Sequence, residues 1–291
     1  MSKRENTLTN NVVINKETGE YIGYLTHKEV KVLKNMRTSI NGSGAKFKRK
    51  DDLFAEYIRK NFGSFFFNFY NNTIDKEYIF RFIYLCTYCN YKNYIVLGEQ
   101  SGEGKLATKK DIKEILNLKD QQFYNTYNYL LKNEMIEEEE GHIKISDKYC
   151  KRGKINKVEI KKGVARMFDA SIKELYNKSK SSEHEKLGLL IKIFPYLSYS
   201  MNILCKNPEE RNRELIEPLT LTELTQILGY SSRQRLKRSL FDLRVNNQKV
   251  IMIAKFDKID MIAINPAIYY KCNDIESLQL LVDMFKIADR Y

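Results

Sequence analysis

One order of secondary-structure elements occurs twice in this chain of 291 residues. In residues 75–149 and again in residues 186–266, the sequence predicts an apolar helix, a connecting segment, a capped helix, a second helix and a β-hairpin. Each copy has its own apolar periodicity, and a polar, basic stretch separates the two. The length also fits two domains of roughly 100–200 residues each. The repeat therefore favours a pair of small, similarly built domains.

The first copy begins with the apolar segment DKEYIFRFIYLCTYCNY at Asp75. After a strand-like YIVLG and a Gly/Ser loop, Thr108 can cap a helix, and Asp111 can return the hydrogen bond in an acidic variant of the capping box. Apolar residues then recur at helical spacing in two successive helices: Ile112, Ile115, Leu116, Phe123, Tyr127, Leu130 and Leu131. Gly141 separates two short extended pieces, which predicts a hairpin.

The second copy begins with a long apolar helix, predicted from Lys186 to Lys206 and kinked or restarted at Pro195. Its stretch 187–204 is at the low end of the length that a bilayer requires and contains Lys192. We therefore interpret it as a buried helix and not as a membrane span.

The rest of the second copy repeats the pattern of the first. Thr220 and Glu223 form a capping box, Gly229 supplies the left-handed residue that ends the helix, and Ser231 is the predicted cap of the next helix. The inward positions of the two helices are Leu221, Leu224, Ile227, Leu228, Leu236, Leu240 and Leu243. The segments VIMIAKF and IDMIAI predict the closing hairpin.

Two helices joined by a tight turn and followed by a hairpin form the arrangement of a winged helix-turn-helix. Through TKKDIKEILNL, LTLTELTQILGYSSRQRLKRSLFDL and INPAIYYKC, residues 75–272 resemble the tandem winged-helix proteins of plasmids and phages of low-GC Gram-positive bacteria, which are replication initiators and related regulators. The fold class expected is α+β, mainly α, with two winged helix-turn-helix domains in tandem joined by a basic linker. The predicted domains are a partly flexible N-terminal extension with a basic tail (1–70), a first winged-helix domain (71–155), a basic linker or helix (156–185) and a second winged-helix domain with a C-terminal helix (186–291).

The charge distribution indicates a polyanionic partner. The chain carries 50 Lys and Arg against 37 Asp and Glu, a net charge of +13. Residues 1–50 and 150–182 each hold a surplus of seven positive charges. Two basic blocks that flank folded segments favour nucleic acid over a merely solvated surface.

The second helix of the second copy is the strongest functional signal. The positions that packing does not need carry four positive charges and no acid: Ser232, Arg233, Gln234, Arg235, Lys237 and Arg238. In the DNA major groove Arg pairs with guanine and Gln with adenine, while Lys and Ser hold phosphates. Lys255 and Lys258, in the following hairpin, are further predicted DNA contacts.

The corresponding helix of the first copy offers amides and a phenol in place of cations: Gln121, Gln122, Tyr124, Asn125 and Asn128, preceded by Lys119. These groups can read base edges but add little electrostatic attraction. The run Glu137–Glu140 in the next hairpin would be repelled by phosphate. The first copy is therefore predicted to be either a second DNA reader or a protein–protein or dimerisation module. Predicted phosphate contacts follow its hairpin: Lys148, Lys151, Arg152 and Lys154.

Motifs of enzymes are incomplete in this chain. The loop from Gly98 to Leu106 departs from the P-loop, because its first Gly is one residue too far from Gly104 and Leu106 stands where Ser or Thr would hold Mg²⁺. The three His do not form the pair that a rolling-circle nickase needs, nor the set of a tyrosine recombinase. We expect no catalysis and no cofactor.

Cysteines and aromatic residues are interpreted as core. Cys86 and Cys89 form a lone C-x-x-C late in an apolar helix, which favours buried thiols over a zinc site completed by Cys150 and His142. We therefore expect no metal. The 5 Cys are odd in number and scattered, which favours a reducing cytoplasm. The run Phe65–Tyr70 is interpreted as core or a subunit contact.

The sequence thus leads to the expectation of a cytoplasmic, non-enzymatic protein without a membrane partner, which binds specific double-stranded DNA at replication origin repeats or an operator. It is expected to bind as a homodimer or as repeated protomers, with the first winged helix or the aromatic segment 62–70 at the contact. The alternative is a winged-helix interaction module that assembles a replication or segregation complex and holds DNA weakly and nonspecifically. Only the first keeps a large specific-to-nonspecific ratio at physiological salt.

Overall fold

A computed structural model describes residues 12–14, 21–24, 50–69, 74–98, 104–153, 155, 164–256, 259–272 and 274–288. Contacts divide the chain into two compact units, Met1–Leu53 and Phe54–Tyr291. In the first unit, β1 (Val12–Ile14) and β2 (Tyr21–Tyr24) form an antiparallel pair. The second unit contains both predicted copies.

From residue 50 onwards the described chain combines helices with short antiparallel strands, so the α+β class is confirmed. The helices are α1 (Lys50–Phe62), α2 (Lys76–Cys86), α3 (Lys109–Leu116), α4 (Asp120–Lys132), α5 (Asp169–Lys178), α6 (His184–Lys192), α7 (Leu221–Ile227), α8 (Arg233–Leu240) and α9 (Ile275–Ala288). The strands are β3 (Phe65–Phe69), β4 (Val96–Leu97), β5 (Lys105–Leu106), β6 (Ile136–Glu139), β7 (His142–Ile145), β8 (Cys150–Lys151), β9 (Val164–Phe168), β10 (Arg244–Val245), β11 (Gln248–Lys249), β12 (Ile251–Phe256), β13 (Ile259–Ile264) and β14 (Tyr269–Tyr270).

A four-stranded antiparallel sheet is built from strands that lie just outside the two predicted copies, in the order β14-β9-β3-β8. Its middle strands pair from Phe65 opposite Phe168 to Phe69 opposite Val164. The outer strands β8 and β14 pair with β3 and β9, respectively. We name residues 65–153 the first module and residues 164–270 the second module. In the first module the last strand, β8, therefore pairs with the first strand, β3, and in the second module β14 pairs with β9. The pairing of β3 with β9 joins the two modules.

This sheet draws on stretches that the sequence assigns to an extension and a linker. β3 lies within residues 1–70, and β9 and α5 lie within residues 156–185. Both stretches thus supply elements of the folded unit. The exact domain boundaries stay a prediction.

The two modules share a buried asparagine with a positive φ. Asn93 has φ 64° and Asn202 has φ 53°, and both side chains are almost completely buried. The carbonyl of Asn93 accepts from the N–H of Ile145, and that of Asn202 accepts from the N–H of Ile264, each the last residue of a hairpin. The two side-chain amides donate to carbonyl oxygens of the last strands, Cys150 in β8 and Tyr269 in β14. The same hydrogen bonds therefore tie hairpin to sheet in both modules.

Other backbone hydrogen bonds between segments also occur once in each module. The matched pairs are Ile95 N–H to Ile143 O with Leu204 N–H to Ile262 O, Ala107 N–H to Ile95 O with Leu219 N–H to Leu204 O, and Ser146 N–H to Met135 O with Asn265 N–H to Val250 O. These bonds join the same elements in the same order. The repeat seen in the sequence is therefore a repeat of backbone structure.

The predicted capping boxes are present in both modules. The N–H and the hydroxyl of Thr108 donate to Asp111 Oδ2, at 2.8 and 2.7 Å. The N–H of Thr220 donates to Glu223 Oε2 at 2.8 Å, and the N–H of Glu223 donates to Thr220 Oγ1 at 3.2 Å. Gly229 follows α7 with φ 68°, as predicted. The boxes satisfy N–H groups that the start of a helix leaves unpaired.

The prediction of one long apolar helix from Lys186 to Lys206 is wrong. α6 ends at Lys192, one 3₁₀ turn follows at Phe194–Tyr196, and Leu197 then pairs with Leu204 in an isolated bridge. Pro195 has no N–H to continue an α-helix, which accounts for the stop. Among the described helices, none has the length and apolar character to cross a membrane.

α2 of the first module packs against α6 of the second, and a glycine permits their close approach. A Cβ at Gly188 would lie 1.8 Å from the carbonyl oxygen of Lys76. Beside this contact, the buried Arg81 donates from Nε to His184 Nδ1 at 3.2 Å and from Nη1 to Thr126 Oγ1 at 2.8 Å. One guanidinium on α2 thus contacts α4 of its own module and α6 of the other.

The aromatic strand β3 contributes to the core. Phe66, Phe67 and Phe69 are buried, and Phe66 belongs to the main apolar cluster, which contains residues of both modules. The core interpretation is therefore confirmed for these three residues, Tyr70 lies outside the described residues, and the expectation of a subunit contact by segment 62–70 stays a prediction.

Three buried thiols lie next to this sheet. Cys86, Cys89 and Cys150 are fully buried, as the sequence favours. Burial raises the pKa of all three thiols, so they stay protonated and unreactive. Within the described residues, no group of three or more His, Cys, Asp or Glu is placed to hold a metal ion.

Candidate nucleic-acid interface

α8 begins after a tight turn and is capped by Ser232, one residue later than predicted. Ser232 Oγ accepts from the N–H of Arg235 at 3.3 Å. Ser231 instead accepts from Nη1 of the same arginine, at 3.1 Å. Ser232, a predicted DNA contact, therefore also fixes the start of the helix.

α8 packs through two leucines and leaves the rest of its surface outward. Leu236 and Leu240, one turn apart, are completely buried. All the predicted contacts on this helix are exposed: Ser232, Arg233, Gln234, Arg235, Lys237 and Arg238. The structure thus brings the residues that the sequence groups together onto one outer surface.

The cations of α8 form no ion pair with any described carboxylate. In the part of the chain that the structure describes, no ion pair involves Arg233, Arg235, Lys237 or Arg238. By contrast, Nζ of Lys206 lies 2.7 Å from a carboxylate oxygen of Glu223 in α7. Uncompensated cations on one face create a positive potential that attracts a polyanion.

A short hairpin after α8 adds two cations that the sequence analysis missed. β10 and β11 place Arg244 directly opposite Lys249. Asn246 and Asn247, with φ 49° and 63°, form the turn, and the N–H of Asn246 donates to Glu174 in α5 at 3.0 Å. The Asn-Asn pair, which tolerates left-handed backbone, is the sequence signal for this turn.

The next hairpin agrees with prediction. β12 and β13 pair from Ile251 opposite Ile264 to Phe256 opposite Ile259. Met252 and Ala263 belong to an apolar cluster with Phe285 of α9, so the C-terminal helix covers one face of this hairpin. Lys255 lies in β12 opposite Asp260, but its side chain is outside the described residues, as is the whole of Lys258.

In the first module, α4 takes the position that α8 has in the second. Phe123 and Tyr127 are buried at the fourth helical position after the cap and one turn later, as Leu236 and Leu240 are in α8. Aligned in this way, Gln121, Tyr124 and Asn125 correspond to Gln234, Lys237 and Arg238.

The outer face of α4 is polar and uncharged. Gln121, Tyr124, Asn125 and Asn128 are exposed. Nε2 of Gln121 donates to Oδ1 of Asn125 at 2.9 Å, so the two amides form one hydrogen-bonded unit. Gln122 is half-buried, with an Oε1 that accepts no hydrogen bond from the described residues.

Cations adjoin this face. Lys113 Nζ lies 2.6 Å from the carboxylate of Asp120, the acid at the start of α4, and this hydrogen bond raises the pKa of the lysine. Lys109 Nζ lies 4.5 Å from the centre of the Tyr127 ring and 5.7 Å from that of Tyr124. The N-terminal half of α4 therefore carries no uncompensated negative charge.

The acidic hairpin β6–β7 has partners for two of its four glutamates. Glu138 accepts from the hydroxyl of Tyr127 at 2.5 Å. Glu139 pairs with Lys144 at 2.8 Å and accepts from the hydroxyl of Tyr94, and these bonds lower its pKa. Because a tyrosine hydroxyl is neutral, the remaining negative charge belongs to the exposed Glu137, Glu138 and Glu140.

The basic block after this hairpin separates into different environments. Lys148 forms an exposed pair with Glu134 at 2.5 Å, and Lys151 lies half-buried in β8. Arg152 is only 5% exposed and forms a two-pronged ion pair with Asp169, Nη1 to Oδ2 at 2.9 Å and Nη2 to Oδ1 at 3.0 Å. The prediction that Arg152 contacts phosphate is therefore wrong. Lys154 lies outside the described residues.

Comparisons of this chain with protein-family models, with curated proteins and with solved structures find no match.

Proposed function

We propose that this chain is a sequence-specific double-stranded DNA-binding protein with two winged-helix modules in tandem. In the second module α7 and α8 form the helix-turn-helix and β12–β13 the wing, while α3, α4 and β6–β7 are their counterparts in the first. The helix–helix–hairpin order and the matched hydrogen bonds support this assignment. The likeness of its segments to replication initiators and regulators of plasmids and phages suggests the biological role.

The outer face of α8 carries the proposal. It combines an exposed Gln234 with four cations that pair with no carboxylate of the described residues, on a helix whose two buried leucines fix its orientation. An α-helix fits the width of the DNA major groove, where side chains reach base edges. A merely solubilising surface usually mixes the two signs of charge.

The chemistry of this face assigns each group a task. Arg233, Arg235 and Arg238 can bond the O6 and N7 of guanine in two-pronged fashion, and Gln234 can do the same with adenine, each pair contributing about 1–3 kcal/mol of discrimination. Lys237 can hold a phosphate. The proposed function uses no catalytic group, metal or cofactor.

In this proposal the protein acts in the cytoplasm. DNA with repeated binding sites would bind several protomers. One winged helix reads only a short stretch of groove, and affinities of about 10⁻⁸ M or tighter usually need several modules, which two modules of one chain or several protomers would supply.

Selection from duplexes with a randomised core, by the purified full-length protein, tests the proposal. We expect enrichment of a defined sequence and retention of its affinity over a scrambled duplex at about 0.15 M salt. Arg235→Ala should remove much of that preference, whereas Lys60→Ala, which removes an exposed cation from α1, should not. Weak binding without any preferred sequence would favour the interaction-module alternative.

A further inference from the structure

The first module presents uncharged groups where the second presents cations. At matched helical positions, Tyr124 and Asn125 of α4 replace Lys237 and Arg238 of α8, while Gln121 matches Gln234. All three residues of α4 are exposed. The outward residues at these matched positions therefore differ in charge, and this determines what each helix can contact.

We infer that α4 is a second DNA-reading helix, selective for A·T pairs, and that Gln121 and Asn125 are its specificity-determining residues. This inference rests on the proposed function of the chain. It resolves the two roles that the sequence leaves open for the first module in favour of DNA.

The amide pair matches the edge of adenine. Adenine shows one donor, N6–H, and one acceptor, N7, in the major groove. The hydrogen bond from Gln121 to Asn125 leaves Oε1 of Gln121 as an acceptor and Nδ2 of Asn125 as a donor. The pair therefore offers the complement of adenine while each amide limits the rotation of the other.

Charge on this surface is compatible with DNA. Asp120 is paired with Lys113, and Lys109 lies over the rings next to the amides. Two of the four glutamates of the hairpin bond tyrosine or lysine groups of the same module. The exposed Glu137, Glu138 and Glu140 disfavour phosphate contact by the hairpin, so reading by this module would depend on α4.

Neutral contacts predict a distinctive salt behaviour. Amide contacts to bases release no counterions, whereas each lysine or arginine contact to phosphate contributes about 0.9 to the slope of log affinity against log salt. Removing the amide pair should therefore change base preference without changing the slope.

Selection from duplexes with a randomised core, repeated with three variants, provides the test. For the wild type we expect two separate blocks of selected bases. The double variant Gln121→Ala/Asn125→Ala should lose the A·T block, bind the best wild-type duplex about tenfold or more weakly, and keep the salt slope. Asn61→Ala, which removes an exposed amide from α1, should behave as the wild type.

A gain of specificity separates reading from a structural role. Asn125→Arg places in α4 the residue that α8 has at the matched position, and should shift one selected base from adenine to guanine. Unchanged selection by both α4 variants, with the α8-dependent block intact, would overturn this inference and leave the proposed function standing. Absence of any selected sequence for the wild type would instead refute the proposed function itself.

Discussion

The two modules have matching backbones and contrasting surfaces. Asn93 and Asn202 make the same bonds to hairpin and sheet, and Thr108 and Thr220 begin equivalent helices with equivalent capping boxes. On the outside, α8 carries four cations, while α4 carries amides next to a hairpin with four glutamates. The shared interior fixes where a helix stands, and the outward residues then decide what it can bind.

The comparison also shows where the modules depend on each other. The contact of α2 with α6 at Gly188, the guanidinium of Arg81 and the pairing of β3 with β9 all lie between them. Because these groups are buried, the modules share one interior. We expect changes there to affect both modules, and changes on α4 or α8 to affect one.

The largest effect is expected at the ion pair that joins the end of the first module to the start of the second. Asp169→Ala leaves the charge of Arg152 buried without its carboxylate, with only backbone carbonyls as acceptors, which should lower the free energy of unfolding by about 3–5 kcal/mol. Urea unfolding followed by far-UV circular dichroism measures the loss. Lys148→Ala, which breaks the exposed pair with Glu134, should cost less than about 1 kcal/mol. Two separate transitions, with only one displaced by the first variant, would contradict a shared interior.

The next effect concerns His184, at the same interface. Burial, and then the charge of Arg81, lower its pKa from 6.5 to about 4. Between pH 6.5 and 4, His184 is therefore protonated in the unfolded chain and neutral in the folded chain. The free energy of unfolding falls as the pH drops through this window, by about 3 kcal/mol for this group.

Unfolding at pH values across this window, for wild type and His184→Gln, tests the assignment. The Gln carbonyl can still accept from Arg81 but does not titrate, so the variant should show a shallower decline. Parallel declines for the two proteins would show that other groups set the acid sensitivity.

Much of this fold follows from local sequence signals. The capping boxes, the left-handed Gly229 and both hairpins depend on residues within a few positions of each other, and each is where the sequence places it. The central sheet does not follow in this way, because β3, β8, β9 and β14 are short and find partners far along the chain. The sequence predicts that the helix of α6 continues past Pro195, because apolar residues continue beyond this proline, but α6 ends at Lys192.

The candidate site divides along the same line. Residues on α8 could be predicted because Leu236 and Leu240 fix the buried face, which leaves the others outward. Arg152 could not, since only the fold shows that Asp169 lies against it. In the sequence, Arg152 and the arginines of α8 look alike, because all of them are basic residues in basic surroundings.

A smaller effect separates the outer faces. Arg233→Ala and Arg235→Ala should each weaken binding to the selected duplex by about 1–3 kcal/mol without lowering the thermal unfolding temperature, because both side chains are exposed. Affinity for selected and scrambled duplexes, measured by fluorescence anisotropy, checks this. Equal losses on the two duplexes would reduce both arginines to phosphate contacts.

The smallest effect compares the modules directly. Thr108→Ala and Thr220→Ala each remove a cap from the first helix of a helix pair, and each acid of the two boxes also pairs with a lysine from the preceding segment, Lys105 at 3.5 Å and Lys206 at 2.7 Å. Because the caps are equivalent, each Ala variant should lose about 1 kcal/mol of unfolding free energy. Thr108→Ser and Thr220→Ser keep a capping hydroxyl and should be nearly as stable as the wild type. Unfolding in urea gives these values. A loss restricted to one module would mean that the matching backbones differ in stability as well as in surface, so the contrast between α4 and α8 would no longer be one of surface chemistry alone.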